Sequence, residues 1–168
     1  MRRIRSRLSA AALAIFLASG AVFSAELPLT LKEPATGDSI RIEAGGKALH
    51  VVFFATWCPP CRDELENLAD SEARWGEQGY RLVLVAVKNR HTEARLAQFV
   101  TERGLPGILL FDEDGKTQRD WKAEHIPTHV LFDGDGREVL RTGELNDELS
   151  EAVERLVAQK AGRRGGAP

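Results

Sequence analysis

The sequence predicts an α/β protein whose core is one mixed β-sheet with helices on both faces. Three observations predict it. Apolar runs and helical stripes alternate as strand, helix, strand, helix, strand between residues 49 and 111, which demands crossovers and therefore parallel strands at the centre. Arg81-Leu82-Val83-Leu84-Val85-Ala86-Val87 is a continuous apolar run rich in β-branched residues, the pattern of a strand buried on both faces. Segments 128–132 and 137–141 flank Asp133-Gly134-Asp135-Gly136, a hairpin signal that adds an antiparallel pair.

The elements follow in order. Leu27-Pro28-Leu29-Thr30-Leu31 and Ser39-Ile40-Arg41-Ile42 predict two extra N-terminal strands around a Pro34-to-Asp38 turn, a hairpin-like lead-in. Gly45-Gly46 turns the chain into a strand over 49–55. A helix over 60–75 carries Leu65, Leu68, Ala69 and Ala73 on one stripe and stops at Gly76 and Gly79. Thr92 caps a helix over 93–103, with Leu96, Phe99 and Val100 inward. Residues 107–111 read as another buried strand, Asp112-Glu113-Asp114-Gly115 as a turn, and 117–124 as one or two helical turns. A last helix over 146–160 presents Leu149, Ala152, Val153, Leu156 and Val157 to the core. Asp147 and Glu148 at its start and Lys160 at its end complement its dipole.

The 168 residues suit one domain, 26–161, between two appendages. Arg2, Arg3, Arg5 and Arg7, with no acid before Glu26, precede an apolar stretch over 8–23. Segment 1–25 therefore reads as a secretory signal peptide, with an uncleaved N-terminal anchor as the alternative. Residues 162–168 read as a disordered tail. The whole chain has 23 basic and 25 acidic residues; without the four leader arginines it has 19 against 25, net −6. No basic patch points to nucleic acid or an anionic membrane surface.

The two cysteines of the chain, Cys58 and Cys61, stand two residues apart in Trp57-Cys58-Pro59-Pro60-Cys61, after a predicted strand and at the start of a predicted helix. Unpaired N–H groups and the helix dipole favour a thiolate there, and a thiolate exchanges with disulfides. Cys58 is the expected nucleophile and Cys61, one turn in, the resolving thiol. Pro59 and Pro60 have no N–H to lose at the first helical positions. Closing so small a loop stabilises little, which argues against a purely structural bridge. Two thiolates do not complete a tetrahedral zinc site, so no metal site is assigned, although Cu(I) accepts two soft ligands. No Thr-x-x-Cys with a lone reactive cysteine supports a peroxidase.

Phe53 to Arg62, with Glu64, Ile126-Pro127-Thr128 before a strand, Phe132-Asp133-Gly134-Asp135-Gly136 after it, and Gly143, resemble the thioredoxin superfamily. More narrowly the chain looks like the exported TlpA/ResA/CcmG-type thiol–disulfide oxidoreductases, over roughly residues 27–160. The resemblance implies a thioredoxin fold, a redox-active Cys58–Cys61 disulfide, no cofactor, and a cis Pro127 in contact with the cysteines. It also implies strand-like pairing of the Ile126 backbone with substrate, a Glu64 that tunes the cysteines and shuttles a proton, and an exposed Trp57 that meets partners. The chain departs from the family pattern at four places. Val52 stands where thioredoxins bury an acid, and Glu66 stands for a helix-kinking proline, which predicts a straighter helix. His125 replaces a glycine, and Lys88-Asn89 an acidic pair. His125 is the histidine expected near the thiols; His129 reads as structural, and His50 and His91 receive no role.

The expectation is thus an exported, periplasmic, monomeric thiol–disulfide oxidoreductase that reduces protein disulfides. A membrane thiol transporter would donate its electrons, and cytochrome c maturation or copper-centre assembly would be the destination. The rivals are an oxidase or isomerase of secreted proteins and a non-enzymatic Cu(I)-binding module.

Overall fold

The computed structural model describes residues 25–88, 90 and 92–164. The leader assigned to 1–25 therefore lies outside the described residues except for Ala25, as do Asn89, His91 and 165–168. The strands are β1 (Leu29–Lys32), β2 (Ser39–Ile42), β3 (Ala48–Phe54), β4 (Tyr80–Val87), β5 (Ile108–Asp112), β6 (Thr128–Phe132) and β7 (Glu138–Thr142). The helices are α1 (Pro59–Asp63), α2 (Leu65–Trp75), α3 (Glu93–Arg103), α4 (Lys116–Asp120) and α5 (Asp147–Arg164). They form one seven-stranded sheet in the order β2-β1-β5-β4-β3-β6-β7.

The apolar runs take the centre, as their lack of alternation demands. β4 pairs in parallel with β3 on one side and β5 on the other, and every residue of β3 and β6 is buried. β6 runs antiparallel to β3, and β7 antiparallel to β6, so the Asp133–Gly136 hairpin is where the sequence put it. β1 and β2 form the expected antiparallel lead-in.

Side chains alternate across the sheet, which gives β3 two chemically distinct faces. Phe53 points to one face, where Trp121 at the end of α4 packs edge-on at 5.7 Å and itself meets Phe132 at 5.4 Å. His50 and Val52 point to the other, where Trp75 of α2 lies 6.1 Å from the Tyr80 ring. Helices therefore cover both faces.

Two expectations need correction. The helix over 60–75 is not continuous: it breaks at Glu64, which ends α1 and begins α2. No proline is needed for this, because the Glu64 carboxylate is drawn inward to partners on β6 and on the segment before α5. Beyond the bend Leu65, Leu68 and Trp75 are buried, whereas Ala73 is exposed. The last helix runs to Arg164, four residues past its expected end, so the start of the expected tail is helical. Ala161, Arg163 and Arg164 are good helix formers, and the single Gly162 does not stop them. The other boundaries agree closely, Thr92 capping α3 through its hydroxyl included.

Candidate active site

β3 ends at Phe54 and the chain turns at once, with the Cys58 N–H donating to the Ala55 carbonyl at 3.1 Å. Cys58 is thereby left in an extended conformation as the residue capping α1. Pro59 and Pro60 fill the first two helical positions, where their fixed φ suits the helix and a missing N–H costs nothing. The Cys61 N–H donates to Cys58 Sγ at 3.4 Å. That contact favours a negative charge on Cys58 whenever the bond between the cysteines is open. The two residues are joined as a disulfide with Cα atoms 5.4 Å apart. Both are buried, Cys61 the deeper at 2% exposure against 5%.

The entry to β6 closes over Cys58. The Ile126–Pro127 peptide is cis. The Ile126 carbonyl lies 3.8 Å from Cys58 Sγ. An oxidised sulfur carries no hydrogen, so this is a packing contact; what it does is hold a stretch of backbone against the nucleophile. Thr128 Oγ1 donates to the His125 carbonyl at 2.6 Å and fastens the loop. Pro127 is buried, Ile126 half-buried and His125 exposed. His125 thus serves the loop through its carbonyl. Trp57 is 39% exposed, and the Arg90 guanidinium lies over its ring at 5.6 Å, a cation–π distance.

Glu64 follows Cys61 by one helical turn, and its two oxygens are separately held. Oε1 accepts from the Leu145 N–H at 2.8 Å, and Oε2 faces His129 Nε2 at 3.0 Å. His129 Nδ1 faces His50 Nε2 at 3.0 Å, and His50 Nδ1 faces Tyr80 Oη at 2.7 Å. A hydrogen-bonded chain therefore crosses β4, β3 and β6 and ends beside the cysteine helix. The register explains it: His129 lies opposite Val52, the position where the family resemblance leads one to expect a buried acid. A titratable group thus reaches that place from the neighbouring strand. Sequence reasoning gave His50 no role and left His129 as structural. A signal was present in both, since a polar residue in a strand apolar on both faces must find partners inside the protein.

Burial, with His129 as a second cause, holds the His50 pKa well below the ordinary 6.5. Burial, with Glu72 as a second cause, pushes the Tyr80 phenol far above the ordinary 10. The unfolded chain takes up a proton at His50 below about pH 6.5 that the fold refuses. This contribution to stability is therefore intact above pH 6.5 and declines as pH falls toward the folded value. Half-buried Glu72 and buried Asp112 have raised carboxyl pKa values, chiefly through desolvation, and act in the opposite sense. The informative quantity is thus a difference between proteins. Between pH 7 and 5 the urea midpoint of wild type should fall more than that of His50→Gln, with one proton giving at most about 1.4 kcal/mol per pH unit. Equal losses in both would contradict the assignment.

Comparison with known proteins places this geometry. Residues 26–139 match the AhpC/TSA family. The chain is 27% identical to the thiol–disulfide oxidoreductase ResA of Halalkalibacterium halodurans, over 77% of this chain and 73% of that protein. It is 33% identical to the thiol:disulfide interchange protein DsbE of Yersinia pestis, over 71% of this chain and 62% of that one. It is 31% identical to a nucleoredoxin of Danio rerio, over 71% of this chain but only 29% of that protein. Among solved structures, a secreted Mycobacterium tuberculosis disulfide oxidoreductase superposes with a TM-score of 0.65 at 24% identity, covering 77% of this chain and 96% of that one. That likeness concerns the fold, which is thioredoxin-like.

Proposed function

This chain belongs to the AhpC/TSA family, within the thioredoxin superfamily, and we propose that it is an exported reductase of protein disulfides working through the Cys58–Cys61 dithiol. The observation that carries the reading is Cys58 capping a helix, with the Cys61 amide on its sulfur and the Ile126 carbonyl beside it. The names of the ResA and DsbE relatives support the same chemistry.

In the reduced protein the Cys58 thiolate attacks a partner disulfide, forming a mixed disulfide and releasing one partner thiolate. Cys61 then attacks Cys58 Sγ, closes the intramolecular disulfide and frees the second partner sulfur. The partner chain aligns in strand fashion along the Ile126 backbone, seated against Pro127, with Trp57 as a flat apolar contact. Glu64 receives the proton that Cys61 gives up.

The basic and apolar leader supports export. Among the described residues no helix is long and apolar enough to cross a membrane. We read the protein as a monomer that draws its electrons from a membrane thiol donor. Its substrates would be disulfides formed in apocytochrome CxxCH motifs or at copper-centre cysteines. Pro-Pro between the cysteines favours the reducing direction over the oxidising one. Equilibrating the dithiol against a glutathione or dithiothreitol series tests that direction: a reducing midpoint potential supports the reading and an oxidising one overturns it.

A further inference from the structure

The side-chain chain Tyr80–His50–His129–Glu64 is more than the site needs to hold one carboxylate. His50 and His129 are 1% and 0% exposed and Tyr80 is 2% exposed. Burying two imidazoles and a phenol is unfavourable unless every contact carries a hydrogen bond, and Leu or Phe would fill the same volume without that demand.

The hydrogens follow from what each atom can donate. Between His129 Nδ1 and His50 Nε2 there is room for one hydrogen. An ionised Glu64 only accepts, so His129 Nε2 carries a hydrogen. With both rings neutral, His50 then donates from Nε2 to His129 Nδ1, and Tyr80 donates to His50 Nδ1. Every donor points toward Glu64. Now add one proton. Whether it rests on Glu64 Oε2 or on His129 Nε2, His129 Nδ1 must carry a hydrogen. His50 must therefore accept at Nε2 and donate from Nδ1 to Tyr80 Oη. Each of the three contacts keeps one hydrogen; the two beyond His129 reverse in either case, and the contact between His129 and Glu64 reverses as well when the proton rests on Glu64.

We propose that Tyr80, His50, His129 and Glu64 form a buried proton store serving Cys61, loaded and emptied by reversal of this hydrogen-bonded chain. The inference rests on the thiol–disulfide reading above. As Cys61 attacks, its S–H proton passes to the Glu64 carboxylate, the Cys58–Cys61 bond forms, and the bond from Cys58 to the partner sulfur breaks. The partner leaves as a thiolate, so charge and protons balance. Glu64 is the group that meets the proton. His129, His50 and Tyr80 are positioning residues that act through it by keeping one hydrogen in each of the three contacts of the loaded chain.

The surroundings suit this role. The Leu145 N–H fixes Glu64 Oε1 as an acceptor in both states. From α2, Glu72 acts on Tyr80, and Glu72 is itself held by the Leu82 N–H at 3.0 Å. The buried residues of α5, Leu149, Ala152, Val153 and Val157, are apolar. The lowered pKa of His50 fits a ring that stays neutral and changes tautomer instead of charging.

The test reads the imidazole tautomers directly in uniformly ¹⁵N-labelled wild-type protein, oxidised and reduced, across a pH titration. His50 should carry its hydrogen on Nε2 at high pH and on Nδ1 after uptake of one proton, without becoming an imidazolium. In His50→Leu the loaded chain loses the acceptor for the His129 Nδ1 hydrogen. The acid limb of the resolving step should then move down by about one pH unit and its plateau fall roughly tenfold. The first attack by Cys58 should be unchanged. His129→Gln, whose amide still donates to Glu64 but cannot pass a proton on, should freeze His50 in one tautomer. A wild type that exchanges disulfides while His50 never changes tautomer would overturn the store alone. A wild type with no exchange activity would overturn the thiol–disulfide reading and the service to Cys61 with it.

Discussion

Cys58→Ala should abolish disulfide exchange, whereas Cys61→Ala should attack once and remain covalently joined to its partner. The asymmetry comes from the local structure. Cys58 caps α1, faces the Ile126 carbonyl and receives the Cys61 N–H on its sulfur, so it is the sulfur a partner can reach and the one whose charge is stabilised. Cys61 lies inside the first turn and is 2% exposed, so it meets only a sulfur already bound to Cys58. Without Cys58 there is no mixed disulfide to resolve; without Cys61 there is nothing to resolve it. Mass spectrometry of each variant mixed with a disulfide-bonded protein separates the two. Normal turnover by Cys61→Ala would rule out the two-thiol mechanism.

The second large effect concerns the face of the sheet away from the proton store. Phe53→Ala should cost about 3–5 kcal/mol of stability. Phe53 is completely buried and joins Trp121 and Phe132 in one ring cluster, which holds the end of α4 against β3 and β6. The ring cannot be replaced by collapse, because both strands are fixed by their ladders. Such a loss is a large part of the roughly 5–15 kcal/mol that holds a domain folded. It should appear as a lower urea midpoint with the same slope. Val139→Ala, at a position 46% exposed, should stay within about 0.5 kcal/mol and serves as the control. A loss below about 1 kcal/mol for Phe53→Ala would contradict this description of the core.

Most of the fold was legible because it is written in local patterns. The unbroken apolar run of β4, the Thr92 cap of α3 and the Asp-Gly repeat before β7 each specify an element from a few neighbouring residues. The CxxC placement was legible for the same reason, and so was its partner segment once the family resemblance supplied Ile126-Pro127. What stayed hidden depends on contacts between distant parts of the chain. The bend at Glu64 has no helix-breaking residue; it accompanies a carboxylate pulled toward His129 and Leu145, 65 and 81 residues away. The alignment of His50 with His129 follows from the β3–β6 register, which no periodicity within either strand reveals. Asp112 was read as a turn residue, yet it is fully buried and its carboxylate accepts from the Thr117 and Gln118 N–H groups. It thereby ties the start of α4 to the end of β5.

The midpoint potential of Cys58–Cys61 at pH 7, measured against a glutathione or dithiothreitol series, tests the central claim most directly. A value below roughly −200 mV, toward the thioredoxin end of the scale, is expected, as an exported reductase fed by a membrane thiol donor requires. A value near about −120 mV, among the strong oxidants, would contradict it and assign the protein to disulfide formation in secreted chains.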